Sequence, residues 1–353
     1  MSVTIHQRPG VYSSYDASSV VSGSGSGRLV GLAGVNTKAT AGEPQTITSY
    51  EKAAAAFGSG GDEDMAELIR LALKNGASGV VAVPVASSAD YETAFAALAA
   101  QEDIAVVLCD STDETVHQKL KESVQTASAD RRERLAVVAG AAGESESELV
   151  ERAEALNCER VVLVAPGAAA QDGEALSGLA VAAAVAGAIA GESDPAVPLG
   201  GAELLGLYGL AERYDENTLD LLILGGVTPV ESTAGSVSVV RGVTTRTTTT
   251  GGAADASWRD LATIRVVDDV IPTLRAALRA KFRRAKNTAR SRSAIRAQVV
   301  LELENKLARE IITGYDDVSV TADPEEPTRC LVDFAFTVAH GLNQIWLTAH
   351  ITI

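Results

Sequence analysis

The chain has 353 residues, 46% hydrophobic and 22% charged, with 46 Asp plus Glu against 30 Lys plus Arg and a formal net charge of −16. That apolar content excludes a largely disordered chain, and the length predicts about two domains. The acidic balance argues against nucleic acid or an anionic membrane as a generic partner, because most of the surface repels phosphate. Any cationic contact has to be local.

In chain order, residues 1–27 read as an arm and linker. Val3 and Ile5 alternate with polar residues, Arg8-Pro9-Gly10-Val11-Tyr12 makes a turn, and Ser22 to Gly27 is an alternating Ser-Gly linker. From Arg28, short Val-rich runs bounded by Gly, Pro or charge predict buried parallel strands at 29–35, 79–85, 104–109, 135–139 and 161–165. Helical composition covers 62–75, 89–100, 113–129 and 144–156, with Asp62 and Ser145 placed as N-caps and Glu148 completing a capping box. Strand-helix alternation of this kind predicts a doubly wound α/β domain. After Pro195 the rhythm changes: 219–224 and 236–240 read as strands around a Gly-Gly-Val-Thr-Pro turn, and the threonine run 244–250 marks a domain junction. Residues 257–313 read as helix interrupted at Pro272 and near Asn287. Strands are expected at 318–321, 331–338 and 345–353, the last with Ile345, Leu347, Ala349, Ile351 and Ile353 on one face.

Sites of chemistry are sparse. The Ser-Gly run precedes a strand where a dinucleotide loop would follow one, and Gly140 to Gly143 opens a helix whose Glu144, Glu146 and Glu148 repel phosphate. His6, His117, His340 and His350 have no paired spacing, and no Gly-x-Ser-x-Gly elbow occurs. Asp62-Glu63-Asp64 suits a helix start better than a metal. Cys109, Cys158 and Cys330 form no ligand motif and are read as buried thiols in a reducing cytoplasm. The start of the chain lacks a secretory pattern, and the apolar stretch 176–190 is too short to span a bilayer. No catalytic, cofactor or metal residue is assigned.

One charge pattern stands out. Arg275, Arg279, Lys281, Arg283, Arg284, Lys286, Arg290, Arg292 and Arg296 lie within residues 271–300, which contain no acid, while the rest of the chain holds 21 basic and 46 acidic residues. A solvated helix face and a partner-facing surface are both open readings. A solvated face normally mixes signs through i,i+4 pairs, which favours the partner. Arg279, Arg283 and Lys286 fall at helical spacing. The strand-like ends pose a similar choice: they pair with each other within one subunit, or with a neighbour's sheet.

These residues, taken in order, resemble the sheath proteins of contractile phage tails and phage-tail-like particles, particularly the short sheaths of Gram-positive myophages and R-type bacteriocins. The resemblance rests on Arg8 to Tyr12, Gly31 to Gly34, Gly178 to Gly191 with Pro195 and Gly200-Gly201, and Leu221 to Pro229. It continues through Val237 to Thr245, Ser257 to Val270 with its Arg265-Val266-Val267-Asp268, and Gln344 to Ile351. It implies an arm and linker (1–27), an outer α/β domain (28–250), an inner α+β domain (251–344) and a C-terminal strand arm (345–353). Val3, Ile5, Val11 and Tyr12 would join the C-terminal residues above as inter-subunit arms, and the nine basic residues become candidates to face the tail tube. The implied protein is a non-enzymatic subunit that polymerises helically with itself around a tube and contracts to drive the tube through a cell envelope. It would also meet baseplate and tail terminator proteins, and assemble in the host bacterial cytoplasm without nucleic acid or membrane insertion. A Rossmann-like enzyme or ligand-binding protein and a non-contracting tail protein are the alternatives.

Overall fold

The structure, a computed structural model, describes residues 29–343 and 345–348. The N-terminal calls at Val3, Ile5, Val11 and Tyr12, and the C-terminal ones at Ala349, Ile351 and Ile353, lie outside the described residues.

Five parallel strands fall at their expected positions: β1 (Leu29–Val35), β3 (Gly79–Val85), β4 (Ile104–Cys109), β5 (Leu135–Ala139) and β6 (Val161–Ala165). They join β2 (Gln45–Ile47), β7 (Glu203–Leu204), β8 (Val227–Thr233) and β9 (Ser236–Val239) in one sheet. Its order is β2-β3-β1-β4-β5-β6-β8-β9-β7. The six strands from β3 to β8 run parallel, and antiparallel β2, β9 and β7 finish the edges. Every residue of β3, β5 and β6 is buried, as near-continuous Val runs require when helices cover both faces.

One face carries α1 (Tyr50–Phe57), α2 (Met65–Lys74) and α6 (Leu179–Gly191). The other carries α3 (Tyr91–Ala99), α4 (Glu114–Ala129), α5 (Glu146–Leu156) and α7 (Glu216–Leu224), the last through Leu222. The Ala/Gly run is helix α6, and its small residues permit near contact with α2: a Cβ on Gly187 would stand 2.3 Å from the Ala72 carbonyl oxygen. Ser145 and Glu148 form the expected capping box.

The C-terminal layer is a hairpin of α8 (Leu261–Phe282) and α9 (Ala289–Ala308) under a two-stranded sheet, β10 (Ile312–Ala322) with β11 (Cys330–Val338). Val266, Val270 and Leu274 of α8, Val299 and Leu303 of α9, and Val318 of β10 make its core. Helix α8 is also bound to the large sheet through charged side chains. Asp268 pairs with Arg160, Asp260 with Arg241, and Arg275 with Glu133, while Arg265 donates to the carbonyls of Glu192, Asp194 and Val197 beyond α6.

Several expectations are corrected. Residues 219–224 lie in helix α7, started by Asp215, whose carboxylate accepts from the Thr218 amide at 2.8 Å. The supposed Gly-Gly-Val-Thr-Pro turn is split: Gly225 caps α7, and Val227, Thr228 and Pro229 begin strand β8, where the Pro229 carbonyl accepts from the Val240 amide at 2.9 Å. Pro272 does not interrupt α8; it is buried, and the interactions of Arg265, Asp268 and Arg275 hold the helix on either side of it. The N-cap of α2 is Asp64, not Asp62, and it accepts from the Glu67 amide. Cys109 and Cys158 are buried, but Cys330, at the start of β11, is only half-buried. Residues 345–348 are not in a strand; their alternation supplies a face, and strand formation also needs an edge to pair with.

Candidate assembly surfaces

The basic run occupies the α8–α9 hairpin. Helix α8 ends at Phe282, so Lys286 sits in the connecting turn and does not continue the helical row of Arg279 and Arg283. Thr288 caps α9 by accepting from the Ser291 amide at 3.2 Å, and Asn287 donates to the carbonyls of Pro327 and Arg329, fastening this turn to the β10–β11 turn. Arg279, Lys281, Arg283, Arg284, Lys286 and Arg290 are exposed.

The nine are not equivalent. Arg275 is corrected as a tube-facing candidate: its side chain is 8% exposed and lies 3.7 Å from the Glu133 carboxylate, inside the junction with the large sheet. Burial lowers its pKa, against the opposing pull of Glu133. Lys281 donates to Gln298, Arg292 to the Asn287 side chain, and Arg296 to the Val318 carbonyl at 2.8 Å. That last contact meets a bulge, since the β10–β11 register slips between Asp316 and Ser319 and Asp317 has φ 52°. Arg279 and Lys281, in the last turn of α8, suit its dipole; Arg290, in the first turn of α9, opposes it with no acid there to compensate.

The second surface is the sheet β10–β11. Phe334, Phe336, Val332 and Val338 face the helices, and the residues between them face out. Among the described residues, neither outer edge of this pair is hydrogen-bonded to another strand. Beyond β11 the chain passes so near Pro198 that a Cβ on Gly341 would stand 2.7 Å from it. It then presents Leu342, Ile345, Trp346 and Leu347, each at least 76% exposed. Of the expected C-terminal arm, Ile345 and Leu347 are thus on the surface.

At the carboxyl ends of the parallel strands, polar groups are engaged within the chain. Asp110 accepts from the Val35 amide at 2.7 Å and from the Tyr91 hydroxyl; burial raises the pKa of both, and Asp110 adds to the shift at Tyr91. In the glycine-containing turn, the Ala141 amide donates to Glu144 at 2.6 Å, so a carboxylate holds the place a phosphate would need. His117 is fully buried with Nε2 2.8 Å from the Ser111 carbonyl oxygen, and burial pushes its pKa down to about 4. Sequence reasoning missed the charged staples of α8, because residues 108 apart, such as Arg160 and Asp268, leave no local spacing signal.

The architecture is an open, doubly wound sheet bolted to a helical hairpin, with a two-stranded sheet, a cationic turn and an exposed apolar stretch at one end of the chain. Two family models match the chain: phage tail sheath protein central domain over residues 85–245, and phage tail sheath C-terminal domain over residues 253–352. The chain belongs to the phage tail sheath family. A tail sheath protein of Bacillus phage SP01 is 29% identical over 254 residues, covering 70% of this chain and 43% of that protein. The chain therefore corresponds to less than half the length of this curated relative. The fold is shared with the helical sheath of the anti-feeding prophage in its contracted state (TM-score 0.73, 16% identity, 98% of this chain and 99% of that one). It is shared also with the sheath tail protein of Desulfitobacterium hafniense (TM-score 0.69, 14% identity, 93% and 100%).

Proposed function

We propose that this chain is a mechanical, non-catalytic subunit of a contractile tail sheath, one copy in a helical homopolymer around a tail tube, ending at baseplate and terminator proteins and assembled in the bacterial cytoplasm. The supporting observation is the apolar stretch of Leu342, Ile345, Trp346 and Leu347 standing exposed after a two-stranded sheet whose outer edges, among the described residues, meet no further strand. Such edges are templates for strands of another chain. Residues 1–27, with Val3, Ile5, Val11 and Tyr12, supply the second arm, and the Ser-Gly linker gives it reach of about 5 to 6 Å times √n. Residues 28–250 form the outer domain and 251–344 the inner one. Energy for shortening is stored in the lattice, as a metastable state that relaxes to a lower one.

The cationic hairpin faces the tube. Arg290 is placed against its own helix dipole and Arg283, Arg284 and Lys286 crowd one turn, an arrangement that internal forces do not reward and an acidic partner does. The test uses the full chain with its cognate tube. Wild type should form helical tubes by electron microscopy and coassemble with the tube. Arg283→Glu, Arg284→Glu and Arg290→Glu together should weaken coassembly, most at low salt. Discrete particles from the wild-type chain would overturn the polymer, and unchanged coassembly of the triple variant at low ionic strength would overturn the tube contact.

A further inference from the structure

Two exposed apolar patches lie on opposite faces of the large sheet and carry opposite electrostatic surroundings. On the α5–α7 side, Leu221 and Leu224 project from α7 at 62% and 58% exposure although Leu222 between them is in the core. Around them α5 and α7 expose Glu146, Glu148, Glu151, Glu154, Glu216 and Asp220, and their one basic residue, Arg152, is buried against Glu144. The two helices are neighbours: Thr218 donates to Glu146, and a Cβ on Gly225 would strike Val150.

On the α1–α2 side the exposed apolar groups are Tyr50 (40%), Leu205 (44%) and Tyr208 (65%). They surround Arg70, which donates to the Gly206 carbonyl and lies within electrostatic reach of both tyrosines, and Asn75 holds the Leu205 backbone beside Lys74. Lys52 and Lys74 are exposed here beside the exposed Glu51, and the Arg70 charge is shared with Glu67, which leaves one basic residue in excess on α1 and α2. This patch is aromatic and weakly cationic where the opposite one is aliphatic and anionic.

We propose that the α5–α7 patch of one copy docks on the α1–α2 patch of the next, so that outer domains stack face to back. Resting on the homopolymer reading, this adds a contact made by neither arm nor tube. Identical chains joined through two different complementary patches form a heterologous interface, which propagates as a ring or an open helix. Leucines meeting tyrosines supply apolar burial at the centre, and carboxylates meeting lysines set the register at the rim.

The test is a cross-link in assembled tubes. In a Cys330→Ser background, Leu224→Cys with Tyr208→Cys should yield a ladder of disulfide-linked oligomers on mild oxidation, and neither single cysteine should. Lys52→Glu with Lys74→Glu should raise the concentration needed for half-maximal tube formation roughly tenfold. Adding Glu216→Lys and Asp220→Lys to the same chain should restore it. Tubes that form at wild-type yield with no ladder and no response to charge reversal overturn the stacking and leave the homopolymer standing. Absence of tubes from wild type overturns both.

Discussion

The Arg160 guanidinium donates two hydrogen bonds to the Asp268 carboxylate, at 2.7 and 2.9 Å, tying the residue before β6 to the middle of α8. The two side chains are 4% and 16% exposed. Burial alone would lower the arginine pKa, but the Asp268 charge and hydrogen bonds more than offset this and hold it above its ordinary value.

Removing one partner of such a pair strands a buried charge, at a cost of about 3–5 kcal/mol. Arg160→Met or Asp268→Leu alone should therefore destabilise the chain by that order in urea unfolding. The double substitution should cost much less than the sum. Additive losses would show that the two residues act independently.

The same pair shows where sequence reading stops. The parallel strands were legible because each is a short apolar run with defined ends, and the capping box of α5 because its two members are three residues apart. Helix α7 was not, since the apolar stretch Leu221 to Leu224 after Asp220 is too short to define a period; the clue was Asp215 three residues before Thr218. The basic island was visible as composition, but the inward turn of Arg275 depends on Glu133, remote in sequence. Whether a strand forms at 345–348 is a property of its pairing partner as much as of its residues.

His117 makes stability pH-dependent. Folded, its pKa is about 4, chiefly because burial disfavours the cation, with the nearby Arg152 charge acting in the same direction against Glu144 and Asp113. Unfolded, it returns to about 6.5. The contribution is therefore present above pH 6.5 and is lost as pH falls through 4, by at most about 3 kcal/mol. His117→Gln should flatten the pH dependence of unfolding free energy between pH 6.5 and 4. An unchanged slope would show that another group controls it.

Asn157 ends α5 in the left-handed region with φ 36°, and its side chain both accepts from the amides of Thr247 and Thr248 and donates to the Thr248 carbonyl. The threonine run is thus laced to the sheet. Asn157→Gly keeps the backbone conformation and removes the side-chain bonds, so it should cost about 1–3 kcal/mol and raise amide exchange over residues 245–249. Exchange that rises uniformly across the chain would mean a global effect instead.

Removal of residues 345–353 separates folding from assembly. Ile345, Trp346 and Leu347 are 80–90% exposed, so their loss withdraws little apolar surface from the core and the melting temperature of the monomer should move by no more than about 2 °C. If the segment adds a strand to a neighbour, tube formation should vanish, because both the backbone pairing and the apolar face of that strand are lost at once. A truncated chain that melts normally and still forms tubes would show that the segment adds no strand to a neighbour. A large drop in melting temperature would assign it to the fold.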